Sequence, residues 1–216
     1  MRHKLVPGDA ETRRRRHEQL LADCRDLPCL KQLLPCRVNA TFWVFGYGSL
    51  MWNPGFPHSE ARPALLRGYH RRFCIWSHNY RGTPERPGLV LGLDRGGSCR
   101  GMAFQVRRDD SEAVLDYLHD REMSTRVYHP RLITLDTARG PVQGLAFVVD
   151  RRHPQYTGRL GLEETATLIA DAVGQRGACA EYLANTVAHL RELDINPGSL
   201  RPLMRMVERH AKGAAD

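Results

Sequence analysis

The order of secondary-structure patterns along the chain predicts an α+β fold. Strand patterns come first, helical patterns come last, and no regular strand–helix–strand alternation joins them. Hairpin signals follow one another, which indicates a largely antiparallel sheet. We therefore expect a strongly curved or barrel-like sheet with helices packed outside it, preceded by an N-terminal arm over residues 1–40.

The arm differs from the rest of the chain in charge. Half of the net charge of +8 lies here, as nine basic residues against five acidic ones. The pattern over 11–27 fits a helix, which Pro28 and Pro35 end before the first strand. The run Arg13–Arg16 fits either a nucleic-acid or membrane-surface patch or a solvated helix face. We favour the solvated face because the run is short and lacks interleaved aromatic residues.

Six strands are predicted after the arm from apolar runs or from apolar–polar alternation. They lie at Phe42–Phe45, 64–77, Leu89–Leu93, 99–106, 127–135 and 142–149. Alternation within 64–77 predicts one solvent-exposed face. The pair Gly96-Gly97 predicts a hairpin between the third and fourth strands, and Gly140-Pro141 predicts another between the last two. Residues 78–88 contain two prolines and two glycines and fit a loop.

Four helices are predicted from apolar residues at helical spacing. They lie at 112–120, 162–173, 178–193 and 199–211, with Ser111 as the expected N-cap of the first. The expected buried faces are Val114, Tyr117 and Leu118 in the first helix, Leu162, Ala166, Ile169 and Val173 in the second, and Cys179, Tyr182, Leu183, Val187 and Leu190 in the third.

The segment F-W-V-F-G-Y-G-S-L-M-W-N-P-G-F at 42–56 is the most distinctive stretch of the chain. Its apolar strand breaks at Gly46-Tyr47-Gly48-Ser49, where two glycines relax the backbone and let a ligand approach the N–H groups closely. The tyrosine and serine add hydroxyl groups for hydrogen bonds. The segment matches neither of the common phosphate-binding glycine motifs. A tight turn without a ligand is the alternative interpretation.

Glu122 is the carboxylate that the sequence places most unusually. It lies four residues after Leu118, so a continuing helix would direct it from the apolar side. A carboxylate there is either paired, with Arg121 or Arg126, or functional, because unpaired burial is costly. Arg67, Arg71 or Arg72 could bind a substrate carboxylate through a bidentate fork, although surface exposure is the default for arginine.

Composition and charge show which classes of protein, such as membrane, exported or metal-binding proteins, the sequence fits poorly. The apolar fraction is 42% and no run approaches the ~20 apolar residues of a membrane helix. The basic start is not followed by an apolar segment, so we expect a cytoplasmic protein with no membrane partner. Six cysteines without zinc spacing predict reduced thiols and no metal site. The basic balance fits an anionic substrate, nucleic acid, or no binding role at all.

Five sequence blocks in order resemble one family, the ChaC-like γ-glutamylcyclotransferases. They are V-F-G-Y-G-S-L (44–50), R-G-Y-H-R-R-F (67–73), R-G-M-A-F (100–104), Y-L-H-D-R-E-M (117–123) and E-Y-L-A-N-T-V-A-H-L (181–190). The resemblance runs from about residue 42 to about residue 211. It implies a small mixed, mostly antiparallel β-barrel with packed helices over 41–212. It says nothing of the arm.

The resemblance also implies an activity. Family members cut glutathione into 5-oxoproline and cysteinylglycine without a cofactor or metal, and the position of their catalytic acid/base is Glu122 here. Between Glu122 and Tyr128, Met-Ser-Thr-Arg-Val departs from the glycine pair seen in many members. The implied substrate-binding residues are Val44, Phe45, Gly46, Tyr47, Gly48, Ser49, Leu50 and Tyr128. To these we add Arg72 as the arginine expected to bind a substrate carboxylate.

Two alternatives remain open at the level of sequence. One is the same ring closure on another γ-glutamyl amine or amide. The other is a binding protein, either for nucleic acid through the basic arm or as a silent sensor of γ-glutamyl compounds. We expect the enzyme, acting on glutathione as a monomer or weak homodimer, with no nucleic-acid partner.

Overall fold

The computed structural model describes residues 29–213 of the chain. The strands are β1 (Phe42–Gly46), β2 (Glu60–Ser77), β3 (Gly88–Val106), β4 (Tyr128–Thr137), β5 (Gly140–Val149), β6 (Val173–Gly174) and β7 (Gly177–Ala178). The helices are α1 (Leu30–Leu33), α2 (Ser111–Glu122), α3 (Leu162–Asp171), α4 (Cys179–Glu192) and α5 (Leu200–Gly213). Short 3-10 turns lie at Pro35–Arg37, Ser49–Met51 and Arg108–Asp110. The predicted helix at 11–27 and the run Arg13–Arg16 lie outside the described residues.

Five strands close into a barrel in the order β1-β3-β2-β4-β5. Most neighbours are antiparallel, but β1 pairs with β5 in parallel, with Trp43 opposite Gly144. A second parallel contact joins β3 to β5, with Leu93 opposite Val148. The predicted α+β class and the mixed, mostly antiparallel barrel are therefore confirmed.

The predicted hairpin at Gly96-Gly97 is wrong, because β3 runs unbroken from Gly88 to Val106. The two glycines lie opposite a register shift in β2, where Arg67 faces Ser98 and Tyr69 faces Arg95. Gly68, Gly96 and Gly97 all have positive φ (84°, 102° and 68°). The glycines thus form an irregularity that bends two long paired strands, which a small barrel requires. The true reversal is the loop at 78–87.

The predicted exposed face of β2 is also wrong at the end of the strand, where Phe73–Ser77 are all buried. The loop after β5 covers the outer side. Tyr156 forms a bridge with Ile75, and the Trp76 N–H donates to the Gln155 carbonyl at 2.8 Å. A strand covered on both faces loses its apolar–polar alternation.

Helix α2 is buried through Val114 and Leu118, as expected, with Tyr117 half-buried. Ser111 does not cap it, because the Ser111 hydroxyl accepts a hydrogen bond from the Asn39 N–H at 3.0 Å. The cap position is Asp110, whose side chain makes no cap bond.

The buried face of α3 is shorter than its pattern predicts. Ala166 and Ile169 are fully buried, but Leu162 and Val173 are 44% and 59% exposed. The helix ends at Asp171, so Val173 begins β6 and no longer shares the helical face. In α4, Cys179, Leu183, Val187 and Leu190 are buried as expected.

The last residues of the predicted arm pack onto the barrel domain. Leu30 is fully buried in the main core, and the Lys31 Nζ lies 2.9 Å from the Asp116 Oδ2 of α2. The boundary at residue 40 stays a prediction. Within residues 29–213, no helix is both long and apolar enough to cross a membrane.

Gly101 offers a test of how tightly β1 is held. A Cβ at this position of β3 would lie 2.3 Å from the Gly46 carbonyl oxygen and 2.8 Å from the Phe45 ring. We expect Gly101→Ala to lower the free energy of unfolding by about 1–3 kcal/mol, as overpacking does. Thermal and denaturant unfolding would measure the loss.

Gly161→Ala is the matched control, because a Cβ there meets nothing within 4 Å and φ is −68°. Its cost should stay below about 1 kcal/mol, within the range for a helix cap. Equal stability of Gly101→Ala and the natural chain would contradict the close approach of β1 and β3.

Candidate functional site

A cavity with about 320 Å³ of empty space, part of it open solvent, lies where β1 ends in the Gly-Tyr-Gly-Ser turn. Its walls come from the turn, the end of α2, three barrel strands and α4. The lining residues are Tyr47, Gly48, Ser49, Leu50, Leu91, Glu122, Tyr128, Phe147 and Tyr182.

The turn at the end of β1 is held by its own backbone and by Arg71. The Met51 N–H donates to the Gly48 carbonyl at 2.9 Å, closing the 3-10 turn. Arg71 donates to the carbonyl of Tyr47 through Nε and to the carbonyl of Arg100 through Nη2 at 2.7 Å. Gly46 allows the close packing, because a Cβ there would lie 3.1 Å from the Met51 nitrogen. Arg71 thus fixes the turn.

Glu122 is the carboxylate of the cavity. It is the last residue of α2, and 16% of its side chain is accessible. Its Oε1 lies 3.2 Å from the Arg121 Nε, so the carboxylate is both paired and placed in the cavity. Burial raises the pKa of Glu122 above its ordinary value, and Arg121 partly opposes that rise.

Arg121 joins the end of α2 to the turn. Its Nη2 donates to the Ser49 Oγ at 3.0 Å, while Nε faces Glu122. Its Nη1 donates to the Asn53 carbonyl at 2.7 Å and to the Tyr117 hydroxyl at 2.8 Å. The sequence indicated Arg121 merely as a partner for Glu122, because the two residues are adjacent. Its hydrogen bonds to the turn could not be predicted, because they depend on how the chain folds.

Three tyrosines surround the carboxylate. The Tyr47 hydroxyl donates to the Phe147 carbonyl at 3.2 Å, and the Tyr128 hydroxyl donates to the Leu91 carbonyl at 3.0 Å. Burial first, and then the nearby Glu122 and other groups, raise the pKa of Tyr47, Tyr128 and Tyr182. All three hydroxyls therefore stay protonated at neutral pH.

Tyr182 was not among the predicted site residues. Its helical spacing on α4 indicated a core position, and its ring does pack edge-on to Phe73 at 5.7 Å. Its hydroxyl, however, lines the cavity next to Gly48. Helical periodicity reports which face is buried but not what a polar tip on that face meets.

The structure brings together six of the predicted site residues in the cavity lining, namely Tyr47, Gly48, Ser49, Leu50, Glu122 and Tyr128. Val44, Phe45 and Gly46 are buried in β1 behind the turn and do not line the cavity.

Arg72 is placed elsewhere. It lies in β2 with Nη1 3.1 Å from the Asp94 Oδ2 and also donates to the Gly158 carbonyl. Asp94 is 1% exposed and accepts as well from the Arg151 Nε at 2.6 Å and the Tyr156 hydroxyl at 3.0 Å. The cluster fixes the loop after β5 to the barrel. The structure therefore does not bring Arg72 to the cavity.

The arrangement suits proton transfer at a bound polar group. A carboxylate of raised pKa can act as a base and then as an acid near neutral pH. The N–H groups of the turn can hold a carboxylate or a developing oxyanion. Within residues 29–213, no group of three or more His, Cys, Asp or Glu side chains is arranged to hold a metal.

Comparison with known proteins points to one family. The model of the ChaC-like protein family matches residues 42–210. The glutathione-specific γ-glutamylcyclotransferase of Escherichia coli K12 is 37% identical over 182 residues, covering 83% of this chain and 79% of that protein. The enzyme of the same name from Schizosaccharomyces pombe is 33% identical over 184 residues, covering 76% and 88%.

Solved structures share the fold. The crystal structure of a yeast γ-glutamylcyclotransferase specific to glutathione superposes with a TM-score of 0.72 at 22% identity. The match covers 79% of this chain and 96% of that chain.

The pairing of Arg121 with Glu122 can be tested directly. Replacing the guanidinium in Arg121→Gln removes the cation that stabilises the carboxylate, so the pKa of Glu122 should rise further. A carbon-13 NMR titration of the labelled Glu122 carboxyl would measure it. Arg131→Gln, at an exposed position of β4, is the control and should leave that pKa unchanged. A lower or unchanged pKa in Arg121→Gln would contradict the assigned ion pair.

Proposed function

The chain belongs to the ChaC-like family, and we propose that it is a γ-glutamylcyclotransferase that cleaves glutathione into 5-oxoproline and cysteinylglycine. The observation that carries the proposal is the buried carboxylate of Glu122 in the cavity formed by the Gly-Tyr-Gly-Ser turn. The names of the relatives from E. coli and S. pombe agree with it.

The reaction takes place within one substrate molecule. The α-amine of the γ-glutamyl unit attacks its own γ-carbonyl carbon and forms a C–N bond that closes a five-membered ring. The amide C–N bond to cysteine breaks, and its electron pair stays on the leaving nitrogen. One proton leaves the attacking amine and one is added to the leaving amine. The protein must fold the substrate back on itself, a form of positioning worth up to ~7–11 kcal/mol.

Glu122 is the group that moves the proton. As a carboxylate it accepts the proton that the attacking amine loses as the new C–N bond forms, and as a carboxylic acid it returns that proton to the departing cysteinyl nitrogen. A glutamate with an ordinary pKa is a weak base for this task, and burial at the end of α2 corrects that weakness. Arg121 keeps the carboxylate oriented through the 3.2 Å contact at Nε.

The turn and the tyrosines hold the γ-glutamyl unit. Backbone N–H groups from Gly48 to Leu50 are the donors to the oxyanion that develops on the γ-carbonyl. Ser49 already accepts a hydrogen bond from Arg121, so its own O–H hydrogen can donate to the substrate. The hydroxyls of Tyr47 and Tyr128 donate their hydrogens to protein carbonyls, so their oxygens can accept hydrogen bonds from the substrate ammonium.

Glu122→Gln should abolish proton transfer while keeping the shape of the side chain. We expect 5-oxoproline formation from glutathione to fall by at least about 100-fold, the usual contribution of a general base. Mass spectrometry of purified protein incubated with glutathione measures the product. Glu112→Gln, on the exposed first turn of the same helix, is the control and should keep full activity. Full activity in Glu122→Gln would remove the proposed mechanism.

Ser49→Ala tests the turn as a binding element. Losing one hydrogen bond of about 1–1.5 kcal/mol should lower kcat/KM for glutathione by about tenfold. The fold should persist, which circular dichroism and thermal unfolding can check. Ser98→Ala, at an exposed position of β3, is the control. An unchanged kcat/KM in Ser49→Ala would assign the serine to the turn alone.

Glutathione and other γ-glutamyl compounds share the unit that enters this cavity. Comparing kcat/KM for glutathione with kcat/KM for simple γ-glutamyl amino acids therefore tests the substrate assignment. A clear preference for the tripeptide supports glutathione, and a preference for a γ-glutamyl amine would replace it with that substrate.

A further inference from the structure

We propose that Arg81, which does not line the cavity, is a positioning residue that holds the Tyr182 hydroxyl in place at the bound γ-glutamyl unit. This inference rests on the proposed function and adds a residue to it. The sequence placed Arg81 in the loop after β2 without a role of its own. The alternative is a structural link between that loop and α4 that does not affect the reaction.

Tyr182 reaches the cavity from outside the barrel. It is the fourth residue of α4, and a Cβ at Gly48 would lie 3.5 Å from its hydroxyl oxygen. The hydroxyls of Tyr47 and Tyr128, by contrast, belong to the barrel and donate to carbonyls of its strands. The position of the Tyr182 hydroxyl therefore depends on what holds its ring and the start of α4.

Arg81 contacts both the ring and the start of the helix. Its guanidinium carbon lies 5.2 Å from the centroid of the Tyr182 ring, the geometry of a cation–π interaction. Its Nη1 donates at 3.1 Å to the carbonyl of Ala178, the N-cap of α4. Only 18% of the Arg81 side chain is accessible, and removal from water strengthens a cation–π contact. One guanidinium thus holds the tyrosine ring and the helix end that carries it.

Helix stability does not account for an arginine at this place. The N-terminus of a helix carries a partial positive charge, so a cation beside it is unfavourable. Glu181 in the first turn offsets this only weakly, because its Oε2 lies 3.6 Å from the Arg81 Nη1 and 59% of its side chain is exposed to solvent. The contact with the Tyr182 ring gives the arginine a reason to be there.

The loop that carries Arg81 is fixed by contacts of its own. The Arg81 N–H donates to the Ser77 Oγ at 3.0 Å, and the Arg176 N–H between β6 and β7 donates to the Tyr80 carbonyl at 2.9 Å. A Cβ at Gly88 would lie 1.9 Å from the Arg81 carbonyl oxygen, so the two ends of the loop are in close contact. A side chain that positions another needs such a rigid support.

A double-mutant cycle separates positioning from a structural link. Tyr182→Phe keeps the ring and removes the hydroxyl, whereas Arg81→Gln removes the cation and keeps the hydroxyl. If Arg81 acts through the hydroxyl, its replacement has nothing left to disturb in the Tyr182→Phe background. Arg86→Gln, at an exposed position of the same loop, is the control and should keep full activity.

We expect Arg81→Gln and Tyr182→Phe each to lower kcat/KM for glutathione by about tenfold, and the double variant by about tenfold as well. Arg81→Lys keeps the charge but loses the planar stack, so it should cost about threefold, and this loss should also vanish in Tyr182→Phe. In carbon-13 NMR of labelled tyrosine, the Tyr182 ring signal is the one absent from Tyr182→Phe. It should move in Arg81→Gln and stay in place in Arg86→Gln.

Thermal unfolding verifies that the variants fold, and Arg81→Lys decides the cycle if Arg81→Gln does not fold. A loss of about a hundredfold in the double variant would mean that Arg81 acts independently of the hydroxyl. That result, an unchanged kcat/KM in Arg81→Gln or an unmoved Tyr182 signal makes the inference wrong while the proposed function stands. If the natural chain forms no 5-oxoproline from any γ-glutamyl compound, the proposed function fails and the inference falls with it.

Discussion

The ionic contact between Arg121 and Glu122 is the interaction on which the site depends. A carboxylate withdrawn from water costs several kcal/mol unless a partner compensates it. Here the partner is adjacent in the chain and also bonds to Ser49, 72 residues away. The same guanidinium therefore makes burial of the Glu122 carboxylate tolerable and fixes the distance between that carboxylate and the turn. Neither the helix end nor the turn would hold this geometry alone.

The barrel places this ion pair in a mostly apolar environment that contains a few fixed dipoles, namely backbone carbonyls and tyrosine hydroxyls. Leu91 and Phe147 occupy the wall, and their carbonyls orient the hydroxyls of Tyr128 and Tyr47. Fixed dipoles in a partly dry cavity interact with a developing charge more strongly than water does, because they need no reorientation. The barrel thus holds the polar groups around the carboxylate in fixed orientations. Leu50, Leu91 and Phe147, which line the cavity, are also part of the hydrophobic core.

Sequence patterns were sufficient for the parts of this arrangement that are local. The strand before Gly46, the glycine turn and the helix that delivers Glu122 each follow from short-range residue preferences, and the resemblance placed them in one family. Features that depend on a distant partner were missed. Gly96-Gly97 has the composition of a turn, and only its pairing with β2 makes it a bend. Arg72 has the composition of a ligand-binding residue, and the buried Asp94 takes its charge.

The parallel pairing of β1 with β5 has a consequence for how the protein folds. Trp43 and Gly144 are about 100 residues apart, and the hydrogen bond from Tyr47 to Phe147 spans 100 residues. Closing so long a loop carries an entropic cost before any contact compensates it, which slows folding. During synthesis, the Gly-Tyr-Gly-Ser turn emerges early but lacks the opposite wall of the cavity until β5 has left the ribosome. The enzyme consequently becomes competent late, in the step that also closes its barrel.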